Sequence, residues 1–180
     1  TVTFIHVATS QLSLLTNGLG RISRTFTGNT LEVGRGYTVT AVPSSGQLFS
    51  NWVGTVTATN NPLKFIMQSN MVLQANFVPN PFTPVQGSYN GLFADTNGVA
   101  QERAGFFTAR TTANGTYSGT LRIGSSRYAF SGRFELNRTA TNTVRRGHDT
   151  PLMLEMTLLA GTDTSWIIGN VSGGGWAAEL

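Results

Sequence analysis

The chain has 180 residues, enough for one large β domain or two small ones, and only 11% are charged, against roughly 25% in an average soluble domain. Its net charge of +4 comes from eleven Arg and a single Lys, Lys64, spread along the whole length, a weak footprint for nucleic acid beside a clustered basic stripe. With no Cys there is neither a disulfide scaffold nor thiolate chemistry, and no apolar run approaches the roughly 20 residues that span a bilayer.

Neutral polar residues replace the missing charges, with Thr the commonest and 21 Gly behind it. Thr is β-branched and stays hydrated on an outward strand face, so the composition points to an all-β chain with little helix. Thr1 opens on neither an initiator Met nor a signal segment, and the chain is expected to be a piece of something longer. Three of its six prolines, Pro79, Pro81 and Pro84, fall within 78–85. Proline lacks a backbone N–H and fixes φ, so no helix or interior strand is expected to run through. We therefore read a module over 1–78, a proline-rich linker over 79–84 and a second domain over 85–180.

In the first module an opening strand is expected over 3–9, where the lone His6 reads as structural. A strand over 11–16 is closed by Asn17-Gly18, the strongest short hairpin signal, so the run 21–26 is expected to return beside it. Further turns fall at Gly28-Asn29 and Gly34-Arg35-Gly36. From Tyr37 the alternation is clear, with Tyr37, Val39 and Ala41 on one face. Phe49, Trp52, Phe65 and Phe77 are the candidate structural core, because a module of under 80 residues needs its large aromatics inside. Strands over 62–67 and 71–78 complete the module, with Phe65, Met67, Val72 and Phe77 expected inward. The series Gly46, Phe49, Trp52 and Gly54, then Asn61, Pro62, Phe65, Met67 and Asn70, then Ala75-Asn76-Phe77, resembles the divergent internalin B-repeat modules of large bacterial surface and secreted proteins. The likeness covers about 11–78. It implies a small β-grasp-like spacer at the cell surface or outside it, with no catalytic residues to carry over.

The second domain is punctuated by aromatic-x-Gly at Tyr89-Asn90-Gly91, Tyr117-Ser118-Gly119 and Phe130-Ser131-Gly132. Its β-patterned runs, 87–94, 104–112, 115–123 and 127–136, are spaced by about ten residues with short turns at Asn97-Gly98, Asn114-Gly115 and Gly124-Ser125-Ser126. Such spacing predicts an antiparallel meander or barrel of seven or eight strands. Residues 137–150 are read as a long loop or a ragged hairpin. Leu152, Leu154, Met156 and Leu158 then alternate along a clear strand, and two more runs follow, 165–171 and 175–180. The stretches 77–82, 87–93, Gly105-Phe106-Phe107, 168–172 and Trp176 resemble β domains that follow internalin-like repeats in very long bacterial surface proteins. That resemblance implies a sheet continuing past Leu180, with an open edge there.

No catalytic constellation stands out. Glu135 and Glu155 are the carboxylates that neighbouring strands would bring together for glycoside hydrolysis. The alternative makes them outward charges paired across strands with Arg110, Arg122 and Arg133. His148-Asp149 has no Gly-x-Ser-x-Gly elbow to serve. Two His in the whole chain and no Asp-rich loop give no metal motif, and no cofactor is expected. Lys64 beside the module's single acid, Glu32, and its many Asn raises an isopeptide crosslink, set against an exposed Lys and Glu. The leading reading is a non-catalytic extracellular structural or adhesion module whose partners are neighbouring modules and a host, matrix or glycan surface, with nucleic acid disfavoured. The alternative is a glycan- or small-ligand-binding domain using Trp166, Trp176, Tyr89, Tyr117, Arg145 or Arg146, and a carboxylate hydrolase stands third.

Overall fold

The computed structural model describes residues 7–95, 98 and 100–180. His6, most of the opening strand expected over 3–9, and Asn97 lie outside the described residues. The chain divides into two compact units, Thr1–Asn80 and Pro81–Leu180, and both are built of strands.

The first unit contains β1 (Thr9–Asn17), β2 (Gly20–Arg24), β3 (Thr30–Glu32), β4 (Gly36–Pro43), β5 (Gln47–Gly54), β6 (Leu63–Ile66) and β7 (Met71–Pro79). They form two sheets, ordered β3-β1-β7-β5 and β2-β4-β6. The β1/β7 pair is parallel and the other ladders are antiparallel. Alternate residues of both sheets meet in one core: Leu12, Val39, Ala41, Trp52, Leu63, Phe65, Met71, Leu73 and Phe77 all belong to it, with Phe49 packed against its edge.

Two expectations for this unit are corrected. Asn17-Gly18 does not make a hairpin ladder, because β1 pairs with β3 and β7 while β2 pairs with β4 in the other sheet. Gly18 has φ 83, and a Cβ there would lie 2.2 Å from the Phe77 carbonyl oxygen. The glycine therefore lets the chain cross closely over β7 as it changes sheets. Val72 is 37% exposed, whereas Met71 is fully buried. Val72 and Phe77 are five residues apart, and an odd separation puts two residues of a regular strand on opposite faces.

The Asn61-Pro62 pair extends a ladder by side chain. Paired positions of β4 and β6 run from Gly36↔Ile66 to Val39↔Leu63. Beyond that point the Asn61 amide takes over, its Oδ1 accepting from the Ala41 N–H at 2.9 Å and its Nδ2 donating to the Ala41 carbonyl at 2.7 Å.

Of the stretch read as a linker, Pro79 is the last residue of β7, and Thr83–Val85 forms one 3-10 turn. Phe82 and Val85 are buried. The Phe82 ring lies over Gly115, so Phe82 is part of the second core and not of a free connector.

The second unit contains β8 (Gly87–Asp95), β9 (Ala104–Thr111), β10 (Thr116–Ile123), β11 (Ser126–Arg133), β12 (Thr139–Arg146), β13 (Asp149–Ala160), β14 (Ser165–Gly173) and β15 (Trp176–Glu179). They make one antiparallel sheet ordered β11-β10-β9-β8-β15-β14-β13-β12. The meander curls into a nearly closed barrel: β15 returns to β8 through Ala178↔Asp95 and Glu179↔Ala94. At the β11/β12 seam the Asn142 Nδ2 donates to the Ser131 carbonyl at 2.7 Å. Residues 139–146, part of the stretch read as loop or hairpin, are a strand with a register shift between Val144 and Arg146.

The interior of this barrel is lined by Phe93, Phe107, Tyr117, Leu121, Phe130, Val144, Leu152, Leu154, Met156, Leu158 and Val171, all buried. Four of its aromatics stand directly across from glycines, and in three of these pairs, Phe93↔Gly105, Phe130↔Gly119 and Tyr117↔Gly132, the ring lies over the glycine, whereas Phe107↔Gly91 leaves the glycine open. Each of those three rings covers the backbone of its glycine, an arrangement that permits tight curvature without exposing the ladder. Among the described residues no helix is long and apolar enough to cross a membrane.

Candidate functional site

The acids come first, because hydrolysis would need them together. Asp95, buried at the end of β8, accepts from Arg103 Nη1 at 3.3 Å. Glu155 faces outward on β13, opposite Thr141 and Asn170, and Glu135 sits in the turn between β11 and β12, where its N–H donates to the Thr139 carbonyl. His148 lies in the β12–β13 turn beside Asp149, which stands opposite Arg146 in the ladder. Among the described residues no group of three or more His, Asp or Glu is placed to hold a metal.

The expected cross-strand ion pairs do not form either. Arg110 stands opposite Ser88 and Ser118, Arg122 opposite Phe106 and Arg127, and Arg133 opposite Thr116. Among the described residues the ion pairs are Arg35–Glu32 at 3.0 Å and Arg103–Asp95. The Arg35–Glu32 hydrogen bond raises the Arg35 pKa above its ordinary value, with the nearby Tyr37 and Glu32 charges adding to it. Since Glu32 is engaged there and Lys64 is exposed opposite Thr38, the register does not set Lys64 facing an acid or an Asn for a crosslink.

What the register does assemble is a basic face. Strand alternation turns Arg110, Arg122, Arg127, Arg133 and Arg145 outward on β9 to β12, and no Asp or Glu shares the outward positions of β8 to β12. Arg110, Arg127 and Arg145 line a shallow open depression of about 770 Å³ whose floor is Ser, Thr and Asn, among them Ser88, Asn90 and Ser118. Arg145 falls at the β12 bulge, where the extra residue re-aims a side chain.

The six residues read as ligand contacts are separated. Tyr117 is buried in the barrel core, its ring 4.8 Å from that of Phe134, and offers no stacking face. The Tyr89 hydroxyl donates to the Val85 carbonyl at 2.6 Å and bonds the Ser165 hydroxyl at 2.7 Å. It lines a smaller cavity of about 240 Å³ with Trp166 and Leu180. Trp166 is 51% exposed but its ring lies against Gly161. Trp176 is half-buried on β15 opposite Gly173. The Arg146 Nε donates to the Thr150 carbonyl at 2.8 Å, which ties it to the β12–β13 turn. Only Arg145 reaches the basic depression. Arg110 and Arg127 were missed because neither lies beside another Arg in the sequence, and the signal was their shared outward phase.

In the first unit the motif aromatics are structural. Trp52 is fully buried, with its ring 5.4 Å from that of Phe49, and Phe49 is 6.3 Å from Phe77. Asn61 completes a ladder, and Asn76 donates to Asn51 Oδ1 at 3.0 Å. These are the positions that carried the resemblance. Residues 11–81 match the family model described as the divergent InlB B-repeat domain. The B-repeat match thus runs from β1 to the end of β7 and places the resemblance on the first unit, leaving the second unit outside it. A search of curated proteins and a search of solved structures each found no match.

Proposed function

We propose that this chain is a non-catalytic stretch of an extracellular or cell-surface bacterial protein, with a structural or adhesive role and neighbouring modules of the same polypeptide as its partners. The observation that carries the reading is the B-repeat match over residues 11–81, joined in one chain to a second all-β unit. The likeness of that second unit to domains of long surface proteins belongs to the same proposal. Its carboxylates are dispersed over turns and separate strands, which favours presentation of sheet faces over acid–base chemistry. The test is location in a bacterium that encodes the chain. Antibody raised against it should label intact cells or the culture fluid, and a signal released only by lysis would contradict the reading.

A further inference from the structure

We infer that the outward face of β8 to β12 is a binding site for an acidic polysaccharide. The surface-module reading names no ligand and does not depend on this face. Arg122 and Arg127 are directly opposite on adjacent strands, a like-charge arrangement that is destabilising unless an anion lies between or over the pair. No carboxylate occupies an outward position on these five strands, so the strands themselves supply no anion to the pair.

The form of the face selects the class of anion. Arg110 is in register with Ser118 and Arg127 with Arg122, so the two lie two strands and four residues apart, a separation of roughly 16 Å at about 4.8 Å per strand and about 3.3 Å per residue. A spread of that size does not close on one small ion and matches charges repeated along a chain. Guanidinium groups take carboxylates and sulfates through paired N–H donors. Between the arginines the floor offers Ser88, Asn90, Thr120, Ser131 and Thr143, hydroxyl and amide groups suited to the hydroxyls of a sugar backbone. Single-stranded nucleic acid asks instead for exposed aromatic platforms. Phe130 in the depression is 6% exposed, and the outward positions of these strands carry one aromatic, Phe106 at 38%, opposite Arg122, and no series of rings.

The full chain, titrated with dextran sulfate and with uncharged dextran in about 0.15 M salt, tests the site. Dextran sulfate should bind and dextran should not. Replacing Arg110, Arg127 and Arg145 together by Ala should weaken binding by roughly tenfold or more, about 1.4 kcal/mol. The charge-matched triple Arg21→Ala, Arg24→Ala and Arg35→Ala in the first unit should stay within about twofold of the parent. Arg→Gln at the same three barrel positions keeps the side-chain bulk and decides the matter if the alanine triple folds poorly. Equal weakening by the two triples would reduce the effect to net charge and overturn the site, as would failure of dextran sulfate to bind. Tighter binding of single-stranded DNA at the same salt would also overturn it, by giving the face to nucleic acid.

Discussion

Asn61 shows how one side chain can stand in for a missing piece of strand. Its amide presents a donor and an acceptor to Ala41 in the pattern of a backbone peptide, so β4 keeps a partner after β6 has ended. A net hydrogen bond contributes about 1 kcal/mol, and an unpaired backbone group left behind costs more. Asn61→Ala should therefore destabilise the first unit by about 1–3 kcal/mol, read from urea denaturation followed by tryptophan emission. Asn61→Asp keeps the acceptor but sets a carboxylate oxygen against the Ala41 carbonyl where Nδ2 donated, so it should destabilise at least as much as the alanine variant. An alanine variant with the parent's midpoint would show that the paired bonds do not matter. The Asn-Pro element of the motif was legible in the sequence as a marker, but its role was not. A side chain that imitates a strand leaves no period-2 trace.

At the scale of elements, curvature in the second unit rests on glycines facing aromatics. A Cβ at Gly119 would lie 2.1 Å from the Thr108 carbonyl oxygen and 2.5 Å from the Phe130 ring, whereas a Cβ at Gly91 meets nothing within 4 Å. Gly119→Ala should cost on the order of 2 kcal/mol or more. Gly91→Ala, on the same inward face but with open space where its Cβ would go, should be tolerated within about 0.5 kcal/mol. Equal thermal midpoints for the two variants would sink the claim that the Gly119–Phe130 contact shapes the sheet. The aromatic-x-Gly pattern made this device visible in advance, and the alternation Leu152-Leu154-Met156-Leu158 made β13 plain. The strand over 139–146 was hidden because its inward positions, Ala140, Asn142 and Val144, are small or polar. The Asn17-Gly18 turn misled for a different reason: Asn-Gly specifies positive φ locally, while the choice of sheet is made by β7 packing across it.

At the scale of the whole molecule, two cores form within one chain, and nearly all the strands belonging to each were readable from alternation and turn chemistry. The basic face was not readable, since its arginines are 5 to 35 positions apart and meet only when the register of five strands is known. Sequence reasoning assigned Arg110, Arg122 and Arg133 to carboxylate partners, and the register sets other residues opposite them.

The claim on which the rest depends is that each unit is held by its own core. Trp52 is the single Trp of the first unit, with Trp166 and Trp176 in the second. In a Trp166→Phe, Trp176→Phe background its emission therefore follows the first unit alone. Leu154 is fully buried in the barrel, and Leu154→Ala there should cost the second unit about 2–5 kcal/mol. Urea unfolding of that variant should leave the Trp52 midpoint where it was while the transition in far-ultraviolet ellipticity from the second unit moves to lower urea. A Trp52 midpoint that moves down with it, in one shared transition, would contradict the two-core description.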